Sequence, residues 1–95
     1  MERFGGRDVA GRLNEVHADL IAARRELEII EEQLVIFDDT AEDARVRSLV
    51  AESPLAGQEW REAKRHAEAM QRGREAAKSR VAELERARDD LLSKL

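Results

Sequence analysis

The sequence predicts an all-α fold: a long antiparallel two-helix coiled-coil hairpin that dimerises into a four-helix bundle. Two heptad ladders of apolar residues, a lone proline between them and two opposed strips of charge carry that prediction. The first ladder runs Val9, Leu13, Val16, Leu20, Ala23, Leu27, Ile30, Leu34, Phe37, Ala41, Ala44, Ser48 and Ala51. The second runs Ala56, Trp60, Ala63, Ala67, Met70, Arg74, Ala77, Val81, Leu84, Arg88, Leu91 and Leu95. Steps of four and three alternate in both, the spacing that keeps one seam of a helix turned towards a partner. Folding the chain back at Ser53-Pro54 sets Leu13 against Leu95, Leu27 against Val81, Phe37 against Met70 and Ser48 against Trp60. The two numbers in each pair have an almost constant sum, so the ladders stay in register.

The elements follow in order. Residues 1–7 lack periodicity, contain Gly5-Gly6 and read as a flexible tail. Asp8 is the expected N-cap of helix one, its carboxylate close to unpaired amides. Asp38-Asp39-Thr40 imitates a break, because Thr40 with Asp43 resembles a capping box. The ladder nevertheless passes through Leu34, Phe37, Ala41 and Ala44 without a phase change, whereas a loop would reset it. One helix is therefore expected over about 8–51, then a turn over about 52–54. Pro54 suits the first position of helix two, about 54–94, and Ser53 suits its N-cap. Gly57 and Gly73 cost that helix about 1 kcal/mol each in propensity but have no turn partner that would end it.

Charge supports the same pairing. Residues 26–43 hold eight acids and no Lys or Arg, while the stretch opposite, 64–81, holds six bases and two acids. Opposed strips favour this antiparallel register and penalise a parallel one. Each surface pair contributes only about 0–1 kcal/mol. Arg74 and Arg88 occupy ladder positions and are expected to lay their methylenes on the seam, Arg74 reaching Glu31 and Arg88 reaching Asp19.

The seam does not use every apolar residue. Ala22, Ile29, Ile36 and Val50 recur at multiples of seven outside it, with Ile21, Val35 and Leu49 beside them. A two-helix hairpin cannot cover this second stripe. Ile21, Ala22, Ile29, Val35, Ile36 and Val50 are therefore the expected oligomer interface, and a homodimer the expected form. Near the turn, Leu49, Leu55 and Trp60 form an apolar tip that suits an as yet unidentified protein partner. The alternative for Trp60 is structural, filling the seam opposite Ser48.

Composition narrows the function classes. Ninety-five residues make one domain at most, and 40% charged with 3% aromatic residues suits solvated helices. The chain has no cysteine, so disulfides and thiolate metal sites are excluded. No segment approaches the roughly 20 apolar residues of a membrane span, and Met1-Glu2-Arg3-Phe4-Gly5-Gly6 lacks a signal-peptide run, which makes a cytoplasmic location the default expectation. No catalytic motif, metal-ligand spacing or glycine-rich phosphate loop is present, so no enzyme activity, cofactor or metal is expected. His17 and His66 lie in opposite halves and read as solvated flank residues. The basic segment 61–80 faces an acidic helix and the chain is −4 overall, which argues against nucleic-acid binding. Acids bordering the apolar stripe argue against a membrane surface.

Three resemblances add to this reading. The segment Pro54-Leu55-Ala56-Gly57-Gln58-Glu59-Trp60-Arg61-Glu62-Ala63-Lys64 resembles the tip and second-helix start of Gre-type transcript cleavage factors. Those proteins insert a hairpin into the secondary channel of RNA polymerase and hold a catalytic magnesium with acids at the tip. The matching tip here, Ser-Pro-Leu-Ala-Gly, has no acid pair, so the resemblance implies a polymerase-binding factor that modulates transcription without cleaving transcripts. The length and central turn also look like the small WXG-type substrates of type VII secretion. Here Trp60-Arg61-Glu62 replaces Trp-x-Gly, and the absence of tyrosine removes that family's C-terminal signal. As a whole the chain looks most like small helical-hairpin proteins of high-GC bacteria, a resemblance that implies a fold and no activity.

Overall fold

A computed structural model of the chain describes residues 2–95, with backbone only for residues 2–7. It contains two α-helices, α1 (Glu2–Ala51) and α2 (Pro54–Leu92), joined by a short turn into a hairpin. The flexible tail expected over residues 1–7 falls outside the residues whose side chains are described. Asp8 is not an N-cap: it lies within α1, where its carboxylate pairs with Arg12 at 3.2 Å. α1 also runs unbroken through Asp38-Asp39-Thr40. The Thr40 hydroxyl donates to the Ile36 carbonyl at 2.9 Å, so it is satisfied inside the helix instead of starting a new one.

The turn is closed by three local contacts. Glu52 is left-handed, with φ of 50°, and its amide donates to the Ser48 carbonyl at 3.1 Å, a left-handed C-cap that satisfies an end carbonyl of α1. The Ala56 amide then donates to Ser53 Oγ at 3.1 Å, making Ser53 the N-cap of α2. Ser53 O accepts the first α2 bond, from the Gly57 amide at 3.1 Å. Pro54 sits at the first helical position, where its missing N–H would have had no partner.

The chain divides into two compact units, Met1–Leu27 with Ala76–Leu95, and Glu28–Glu75. In the first, Leu20 (1% exposed), Ala23 and Leu91 are buried and all three are ladder residues. Leu95, expected opposite Leu13, lies past the end of α2 and is exposed, so it does not close the last rung. Arg24 bridges Glu85 across the hairpin at 3.5 Å, with both side chains largely exposed. Arg88 does not reach Asp19; its Nε donates to Asp89 at 3.1 Å. The heptad pattern explains this. Arg88 and Arg74 share a ladder position whose side chain leaves the seam on the flank carrying Glu31, whereas Asp19 belongs to the other flank.

In the second unit Leu34, Ala44 and Ala67 are buried, again all from the ladders. Here Arg74 does bridge Glu31 across the hairpin, at 3.3 Å, and also contacts Glu75. The acidic strip as a whole makes little direct contact. Among the described residues, Glu31 is its only member paired across the hairpin, and Glu42 pairs with Arg45 on its own helix. Glu28, Glu32, Asp39, Glu42 and Asp43 occupy heptad positions on the side of α1 away from the seam, too far round to touch α2. Register therefore rests on the apolar seam.

Candidate functional site

Along α1 from Asp8 onwards, every described residue shielded from solvent is a ladder residue. The second stripe is accordingly left uncovered. In the first unit Ile21 is exposed, as is Ala22. In the second, Ile29, Val35, Ile36 and Val50 are 47%, 61%, 65% and 80% exposed. Leu49 is 62% exposed beside Val50. Val46 belongs with this cluster, although the seven-residue recurrence misses it; its signal is the i, i+3, i+4 spacing to Leu49 and Val50.

The turn region separates the three tip residues. Leu49 and Leu55 are open to solvent, Leu55 in the first turn of α2. Trp60 is half-buried, and Lys64 Nζ lies 5.7 Å from the centroid of its ring, a cation–π contact one helical turn on. Trp60 is thus partly shielded at its ladder position, with the remainder of the side chain open.

Sequence reasoning did not anticipate a groove in the second unit. It has a volume of about 370 Å³, an apolar floor of Ile36, Phe37 and Ala63, and a polar rim of Thr40, Glu59, Glu62 and His66. Its origin lies in the ladder. Phe37 meets His66 and shares the groove with Ala63, about four residues nearer the turn than the Met70 expected opposite it, and the small ladder side chains Ala41, Ala63 and Ala67 leave the flank beyond the phenyl ring unfilled. His66, expected as a solvated residue, is exposed yet meets Phe37 edge to face with ring centroids 6.5 Å apart. Glu62 accepts a hydrogen bond from Gln58 at 3.3 Å, and neither Glu59 nor Glu62 has an ion-pair partner among the described residues.

The electrostatics elsewhere are those of solvated helix surfaces. Hydrogen bonds from Arg45 Nε and Nη2, at 3.0 and 2.7 Å, hold the Glu42 carboxyl below its ordinary pKa and raise that of Arg45. Among the described residues, no group of three or more His, Cys, Asp or Glu side chains is arranged to hold a metal ion. Neither helix is long and apolar enough, over the described residues, to cross a membrane. No family model matches the chain, and no match was found among curated proteins or solved structures.

Proposed function

We propose that this chain is a non-enzymatic interaction protein, a helical hairpin that pairs with a second copy through the outer face of α1 and offers its turn end to a protein partner. The observation carrying this reading is the exposure of Ile29, Val35, Ile36, Leu49 and Val50 on a helix whose seam already accounts for every covered position. Scattered exposed aliphatics are ordinary on a protein surface, but a stripe recurring at helical spacing is the pattern of a helix with a further partner. Full burial of each large aliphatic contributes roughly 1.5–3 kcal/mol, so a handful offset the roughly 4–15 kcal/mol cost of association. Two hairpins joined face to face in this way make a four-helix bundle with a two-fold axis.

Sedimentation at micromolar concentration tests the reading. The wild type should run as a dimer and Ile29→Glu/Ile36→Glu as a monomer of unchanged helicity, since both positions are exposed in the hairpin itself. A monomeric wild type, or a double variant that still dimerises, would overturn it. Because acids border the stripe, added salt should strengthen the dimer by screening their repulsion.

A further inference from the structure

We infer that the groove between Phe37 and Glu59 is a docking site for a basic amphipathic helix from another protein. This rests on reading the chain as an interaction protein but not on its self-association: the groove shares only Ile36 with the stripe, and its other lining residues are not stripe positions. Two features choose the occupant. The floor of Ile36, Phe37 and Ala63 is apolar and, at about 370 Å³, has room for aliphatic side chains presented by one face of a helix. The rim is acidic: Glu59 and Glu62 stand at the edge with no ion pair among the described residues, and Thr40 is occupied by its own helix.

Charge around the site points the same way. Residues 28–75 contain twelve acids and seven bases, so the unit carrying the groove holds the chain's negative surplus, while the remainder has nine acids and ten bases. The Glu28–Glu75 unit of a second copy would bring the same surplus and is disfavoured as the groove's occupant. A helix with an apolar stripe flanked by Lys or Arg satisfies both floor and rim, and its approach is steered by the surrounding field.

The test uses the full chain and a small panel of fluorescein-labelled helical peptides sharing one leucine stripe, flanked either by lysine and arginine or by glutamate. Anisotropy should show the basic peptides binding, with affinity falling as salt rises, opposite in sign to the salt response of the dimer. The glutamate twins should bind at least about tenfold more weakly. Glu59→Gln/Glu62→Gln, which touches no seam or stripe position, should weaken the basic peptides about three- to tenfold without altering helicity or sedimentation. Thr40→Arg, at the rim, should do the same by placing a cation in the groove.

Equal binding of both peptide types, binding untouched by the rim variants, or no binding by any peptide overturns the inference. So does displacement of bound peptide by excess unlabelled Ile29→Glu/Val50→Glu hairpin, whose groove residues are unchanged, which would make a second copy the occupant. If the peptides fail while the wild type still sediments as a dimer, the docking site alone falls. If peptides bind and the chain is monomeric, the dimer alone falls.

Discussion

Replacing Leu20 by alanine should expose how thin the seam is in the first unit. Among the described residues Leu20 is the largest fully buried side chain, 1% exposed. Shortening leucine to alanine removes three carbons from a buried site, about 2.4 kcal/mol at ~0.8 kcal/mol per carbon. A cavity term adds to this, and measured losses for such changes run from about 2 to 5 kcal/mol. The ladder residues Val81, Leu84 and Arg88 of α2 in the same unit are only half-buried, which leaves the surroundings free to lean into the space. The expected loss is therefore in the lower half of that range, about 2.5–3.5 kcal/mol. Urea unfolding followed by circular dichroism at fixed protein concentration measures it, with Ala18→Ser on the exposed outer face of the same helix as the control, expected within about 0.5 kcal/mol. A loss below about 1 kcal/mol at Leu20 would mean that the ladder is not the structural seam.

Three further outcomes follow from local geometry. Gly73→Ala should stabilise the hairpin by about 1 kcal/mol, because the position is inside α2 and a Cβ there meets nothing within 4 Å; thermal melting checks it. Glu52→Gly should also stabilise, by up to about 1 kcal/mol, since a left-handed backbone at φ 50° is strained for glutamate and free for glycine. An NMR titration should find the Glu42 carboxyl titrating below the ordinary glutamate value of 4.5, with the midpoint rising in Arg45→Ala. Because the folded pKa is depressed, the small stabilisation from this pair is present above the unfolded value and lost as pH falls through the folded one.

The hairpin was legible because a coiled-coil seam writes itself into one dimension. Leu20, Ala23, Leu34, Ala44, Ala67 and Leu91, the buried residues, all come from the alternating four-three series, and Ser53-Pro54 carries the chemistry of a helix start. Periodicity also found the exposed stripe, since residues such as Ile29 and Ile36 repeat in a phase the seam does not use. It was weaker wherever the flank of a residue mattered more than its spacing. Arg88 takes Asp89 instead of Asp19 because a ladder arginine leaves the seam on one side only. The acidic strip of 26–43 looked like a partner for the basic strip, yet most of its members point around the back of α1. The groove beside Phe37 is not legible in the sequence for a different reason. It is an absence of volume beside small ladder side chains such as Ala63, and alanine satisfies an apolar pattern as readily as leucine.

The outer face of α1 is the centre of the functional account, and thiol protection tests it directly. The chain has no cysteine, so a single Ile36→Cys or Ser79→Cys substitution gives one labelling site on the stripe or on the exposed surface of α2. If the stripe is an interface between copies, Ile36→Cys should react with a maleimide progressively more slowly as protein concentration rises from nanomolar to tens of micromolar, while Ser79→Cys keeps a constant rate. An Ile36→Cys rate constant that stays the same across that range would contradict it.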